Sequence, residues 1–114
     1  MTITQTKAEF LTESLIEVLN NDWKVLAIEN GRNFYHYLTM EIGRKYIKVW
    51  QSTCYDGVVR ENGKSCFMFV DKETGACYKP ASCKAPAKGI RFFIESLVDS
   101  PEVVDQYGAF LYRR

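Results

Sequence analysis

Lys79, Lys84, Lys88 and Arg91 stand in a stretch that runs from Glu73 to Glu95 with no acidic residue between. The segment carries +4 in a chain whose formal charge is +1, which leaves about −3 for the rest, so its field is local. Pro80 and Pro86 restrict the segment and lower the entropy lost on holding a ligand. Ala81, Ser82, Ala85, Ala87 and Gly89 are small enough for a ligand to reach the main chain. A helix opening near Gly89 would aim free N–H groups at the same place. Such a loop suits a phosphate group, and Tyr78 beside it offers a ring on which a base can stack. Trp50 offers another, sharing a strand face with Tyr46 and Lys48. The competing reading is a solvated loop whose cations pair with Glu95, Asp99, Glu102 or Asp105. Arg44, Lys45, Arg113 and Arg114 could extend the positive patch, but chain order alone does not bring them near it.

Catalytic chemistry has a thinner inventory. His36 is the only histidine, and it sits in an aromatic stretch that reads as a strand. A Cys54–His36 pair would make a small hydrolase, yet no third orienting group or nucleophile elbow accompanies it. Gly57-Val58-Val59-Arg60-Glu61-Asn62-Gly63-Lys64-Ser65 resembles a phosphate loop but has one residue too many between its glycines. It also leads into Cys66-Phe67-Met68-Phe69-Val70, a strand, where a phosphate loop must open a helix. Cys54, Cys66, Cys77 and Cys83 form no C-x-x-C pair, so no metal site and no cofactor is expected, and the cysteines read as reduced thiols.

The elements that must position these residues follow from pattern. Thr6-Lys7-Ala8-Glu9 fits a capping box. Leu11, Leu15, Val18 and Leu19 then recur at helical spacing, with Asn20-Asn21-Asp22 ending the helix. Glu9, Glu13 and Glu17 make an acidic stripe that reads as a solvated face or a docking surface for a basic partner. Trp23 to Ile28 reads as a strand or the lead into one, and residues 29–33 as a turn. Phe34 to Met40 and Lys45 to Gln51 alternate like half-buried strands. Asn62-Gly63 is the hairpin signal, separating Val58-Val59-Arg60 from a central strand over 65–70. Ala76 to Lys79 is the next strand and ends at Pro80. Ile90 to Val98 leans to a short helix. Ser100-Pro101 opens another, and Ala109 to Tyr112 closes the chain. The expected fold is α+β: an N-terminal helix, an antiparallel meander of four to five strands and short C-terminal helical segments.

Bulk composition agrees. The chain has 114 residues, 46% hydrophobic and 25% charged, which suits a single domain over 1–114 rather than a disordered chain. The aromatic share of 14% favours sheet. No apolar run is long enough to cross a bilayer and no signal peptide is visible, so no membrane partner is expected.

Gly43-Arg44-Lys45-Tyr46-Ile47-Lys48-Val49, Phe69-Val70-Asp71-Lys72-Glu73-Thr74-Gly75, Tyr78-Lys79-Pro80-Ala81 and Lys84-Ala85-Pro86-Ala87-Lys88-Gly89-Ile90-Arg91 are similar to strings in small uncharacterised proteins of tailed bacteriophages. The tail from Tyr107 to Tyr112 is similar too. The match covers about the second half of the chain. Cys83 departs from it, standing where those proteins carry a larger aromatic, as does a longer connection over 54–63. The resemblance implies a viral accessory protein working in the host cell cytoplasm. The functional expectation is therefore a non-enzymatic phage accessory protein that binds a phosphate-bearing small molecule or nucleic acid through Lys79, Lys84, Lys88 and Arg91, with Tyr78 or Trp50 stacking. A homo-oligomer fits a small domain with open sheet edges. The alternatives are a protein-interaction module or inhibitor of a host protein, and the small hydrolase.

Overall fold

The computed structural model describes residues 6–106 and 108–112. Tyr107, Arg113 and Arg114, named above, lie outside them. Thr6 caps the first helix as its sequence demands: the Glu9 N–H donates to Thr6 Oγ1 at 3.1 Å, and the Thr6 N–H donates back to Glu9 Oε2 at 3.4 Å. The helix that follows, α1, spans Lys7–Glu29 and does not stop at Asn20–Asp22 as expected. Ala8, Thr12, Leu15, Leu19, Trp23 and Ala27 form one buried stripe at three- and four-residue spacing, so Trp23 to Ile28 is helix and not strand. The stop comes at Asn30-Gly31. Gly31 takes φ +70°, its N–H donates to Ile28 O, and the Arg32 N–H reaches back to Ala27 O at 2.8 Å. The apparent turn at 29–33 is this helix terminus.

Five antiparallel strands follow in chain order across the sheet: β1 Phe34–Ile42, β2 Tyr46–Tyr55, β3 Val58–Asp71, β4 Ala76–Tyr78 and β5 Phe92–Phe93. The β2–β3 hairpin turns at Asp56-Gly57, where φ is +51° and +82°, and not at Asn62-Gly63. Both dipeptides suit a type I′ turn, and pairing decides between them. With the turn at Asp56-Gly57, Val58–Arg60 pairs with Thr53–Tyr55 and one long strand can run on to Asp71. Residues 61–64 are then surplus, standing opposite Ser52 alone as a bulge. A second irregularity, between the pairs Val49↔Met68 and Trp50↔Cys66, leaves Phe67 as the extra residue. That bulge turns the Phe67 ring into the core, edge-on to Trp23 and 5.9 Å from the ring of Phe110.

The predicted helix over 90–98 is divided. Phe92–Phe93 pairs with β4, and only Ile94–Asp99 is helical, here α2. No helix begins at Gly89, so the extra N–H groups expected there are absent. Pro101–Val103 and Ala109–Tyr112 are 3-10 turns. The fold is α+β with the predicted order of elements.

The core lies on one face of the sheet. Leu38, Ile47, Val49, Met68, Val70 and Cys77 pack there against Leu15, Leu19 and Trp23 of α1, Ile94 and Leu97 of α2, and Val104, Phe110 and Leu111. Glu9, expected on a solvated stripe, is only 8% exposed and pairs with Lys72 at 3.4 Å. The helix is also tied to the open side of β1. Asn20 Nδ2 donates to Leu38 O at 2.9 Å, and the Leu38 N–H donates to Asn20 Oδ1 at 2.8 Å. Truncating Asn20 strands a donor and an acceptor in a part-buried setting. Asn20→Ala is expected to lower unfolding free energy by about 1–3 kcal/mol in urea titration, while Asn21→Ala, on the exposed side of α1, changes it by less than about 0.5 kcal/mol.

Candidate functional site

Alternation along β2 sends Ile47 and Val49 into the core and Tyr46, Lys48 and Trp50 to the opposite, helix-free face. On that face Tyr46 meets Phe69 edge-on at 5.9 Å and Tyr78 edge-on at 6.1 Å. These rings make an aromatic floor that covers Phe69, which is 2% exposed. Lys48 lies over it, with Nζ 5.6 Å from the Phe69 ring and 5.0 Å from that of Trp50. Such contacts at half-exposed sites contribute about 0.5–1 kcal/mol each and hold the lysine stem flat on the rings.

The loop after β4 folds back on itself at the edge of this floor. Pro80 and Pro86 face each other in an antiparallel bridge, and the Ala81 and Ser82 N–H groups both donate to Ala85 O. Ser82 Oγ accepts from the Lys84 N–H at 3.1 Å, which turns the tip. That tip brings Lys84 to an open cleft of about 200 Å³ floored by Tyr46 and Phe69. Arg44 and Lys45, from the β1–β2 turn, and Lys48 line the same cleft, and Glu41 is the one carboxylate there among the described residues. Glu41 is engaged, since its Oε1 accepts from Trp50 Nε1 at 2.9 Å. Four cations around one hydrogen-bonded carboxylate leave a net positive hollow open to solvent. A wider hollow of about 300 Å³, near His36, Gln51, Thr53 and Arg60, carries a single permanent cation and has no comparable field.

The six residues expected at the site are not all brought together. Lys84 lines the cleft, Tyr78 supports its floor through Tyr46, and Trp50 flanks it through Glu41 and Lys48. Lys79 turns elsewhere, its Nζ 4.7 Å from the Tyr112 ring. Lys88 is exposed and lines no part of the cleft. Arg91 is half-buried, with Nε buried and unpartnered among the described residues. Two of the four acids weighed as partners for the loop are engaged otherwise: Glu95 pairs with Lys7 at 2.9 Å, and Asp105 accepts the Ala109 and Phe110 N–H groups. Arg44 and Lys45 join the cleft only in three dimensions. Lys48 was legible by alternation from its place between Tyr46 and Trp50, while Glu41 and Phe69 gave no signal.

Cys54 and His36 cannot act together. Cys54 pairs with Tyr35 in register and hydrogen-bonds its side chain, whereas His36, the next residue along β1, points to the other face. That hydrogen bond, with burial, pushes the Tyr35 phenol up to about 12. The cysteines are free, as expected. Burial, helped by the neighbouring Cys83 and opposed by Lys48, raises the Cys66 thiol to about 11.

Fold and cleft together define a small α+β protein with a basic, aromatic-floored hollow on the bare face of an antiparallel sheet. The chain belongs to the family described as Family of unknown function (DUF7717), whose family model matches residues 1–113. No curated protein and no solved structure gives a significant match. Among the described residues no helix is long and apolar enough to cross a membrane, and no cluster of side chains suits a metal ion.

Burial of Cys77 raises its thiol from 9.0 to about 12. The folded chain therefore keeps a proton that the unfolded chain gives up above about pH 9, so stability falls as pH rises from there toward 12. The expected slope from this group is up to about 1.4 kcal/mol per pH unit. Denaturant titrations between pH 8 and pH 11 are expected to show stability falling with pH in the wild type, with Cys66 and Tyr35 adding to the fall, and a shallower fall in Cys77→Ala whatever its absolute stability.

Proposed function

We propose that this protein binds a phosphate-bearing ligand in the cleft between the β1–β2 turn and the tip of the proline-bridged loop, without acting on it chemically. The observation that carries the reading is the convergence of Arg44, Lys45, Lys48 and Lys84 on one aromatic floor, with Glu41 as the only carboxylate lining it among the described residues. Arg44 offers a planar fork for two phosphate oxygens, and the three ammonium groups supply point charges. Tyr46, packed edge-on against the buried Phe69, gives the floor an aromatic, apolar character that suits the rest of a nucleotide better than a bare inorganic ion. The resemblance to small tailed-bacteriophage proteins supplies the setting, an accessory protein that captures such a ligand in the host cytoplasm.

A second reading, a contact surface for a host protein, is favoured by apolar groups at the hairpin end. Phe34 stacks on Tyr55 at 6.1 Å with both rings partly in water, and Val58 is 64% exposed. Val58→Asp would abolish capture of a specific host protein under that reading and leave phosphate binding untouched.

Calorimetric titration with a nucleoside triphosphate tests the main reading. Arg44→Ala and Lys84→Ala are each expected to weaken binding about fivefold or more, since each removes a charge-assisted contact in a partly screened site. Glu41→Gln is expected to tighten it by removing the opposing charge. Affinity indifferent to all three, or unchanged by added salt, would refute the cleft as the site.

A further inference from the structure

The cleft accounts for Arg44, Lys45 and Lys84, but not for what stands beside it. Lys64, in the β3 bulge, is not part of the cleft lining, yet its Nζ lies 4.7 Å from the ring of Trp50. Lys48 reaches the same ring from the cleft side at 5.0 Å. Trp50 is half-buried on the helix-free face, and its indole N–H is fixed by Glu41. From Tyr46 to Trp50 the outward residues of β2 cover about 13 Å. Along that line cations and rings alternate: Tyr46 with Lys45, then Lys48, then Trp50 with Lys64.

We propose that the cleft is one end of a track for single-stranded nucleic acid, in which phosphates follow Arg44, Lys48 and Lys64 and a base stacks on Trp50. The inference rests on the phosphate-binding reading above and extends it from a single phosphate group to a strand. Charge complementarity argues for a polyanion, since among the described residues five cations (Arg44, Lys45, Lys48, Lys64 and Lys84) outnumber Glu41 and Asp71, the latter opposite Tyr46 and bound to the N–H groups of its own turn. The rings argue for unpaired bases, because a duplex keeps its base faces stacked on one another and an acidic peptide has no flat face to stack. The lysines over Trp50 do not oppose this. A partly exposed cation–π contact is weaker than a base–aromatic stack, and an arriving phosphate draws both ammonium groups off the ring.

Two probes separate the strand from the cleft-only ligand: an oligothymidylate of about ten nucleotides and thymidine triphosphate. Trp23 is 6% exposed in the core, so quenching of tryptophan emission by a bound base reports Trp50. The expected result is quenching by the oligonucleotide that disappears in Trp50→Phe, with at least about tenfold tighter binding than the triphosphate, measured by anisotropy of a labelled strand. Lys64→Gln is expected to weaken the oligonucleotide about fivefold and leave the triphosphate unchanged, and affinity should fall with salt at a slope of about −0.7 per phosphate engaged. Equal affinity for the two probes, with Lys64→Gln silent, overturns the track and leaves the cleft reading standing. Equal binding of a duplex of the same length, or displacement of the strand by polyglutamate at matched charge, also overturns it. Binding of neither probe removes both readings.

Discussion

One carboxamide, on Asn20, holds both main-chain groups of Leu38 and so fixes how the long helix lies along the sheet. A helix packed only through Leu15, Leu19 and Trp23 could slide or roll, because apolar contact is not directional. Two oriented hydrogen bonds to a strand remove that freedom. They also settle the outer side of β1, whose Leu38 groups point away from β2. With α1 in this position, α2 and the C-terminal 3-10 turn close the same side of the sheet around Phe67 and Phe110. The structure therefore has one thick apolar side and one bare side, and what the bare side displays is left to β2, β3 and the loop.

On the bare side the organising chemistry is cations on rings. Lys45, Lys48 and Lys64 each lie within about 5–6 Å of an aromatic centroid. Among the described residues none of these three lysines is in an ion pair, and the carboxylates of the pairs Lys7–Glu95 and Lys72–Glu9 lie elsewhere. Glu41 is the exception, and its bond to Trp50 gives it a structural task as well as an electrostatic one. The loop contributes through shape. Its prolines pair across the neck, the Lys84 N–H donates to Ser82 Oγ at the tip, and Lys84 is delivered to the cleft.

Much of the fold was legible in the sequence because local signals agree with it. The capping box, the β1 and β2 alternation and the central position of the 65–70 strand all rest on short-range patterns. The errors arose where two local signals competed. Asn20-Asn21-Asp22 looks like a helix end, but Trp23 and Ala27 continue the buried stripe and Asn30-Gly31 supplies the true stop. Asn62-Gly63 and Asp56-Gly57 suit the same turn, and only the pairing of β2 with β3 chooses. The site was legible in part for a different reason. Charge density along the chain pointed to the loop, yet lysines four to nine residues apart in an irregular segment have no period that fixes their directions. Lys79 found Tyr112 and Lys84 found the cleft. Arg44 and Lys45 came from a turn remote in sequence.

The sheet keeps its strands in the order in which they are translated. Each hairpin pairs a strand with the one just made, so a chain leaving the ribosome needs no long excursion before its next contact, the topology that goes with rapid collapse. The core is different. Phe110 and Leu111 are among its most buried members and emerge after every strand, so the rings of Trp23 and Phe67 must wait, partly wet, until those residues arrive. During synthesis the core side of the nascent sheet stays partly uncovered, and the interval before the closing turn docks is when a chaperone would find the chain.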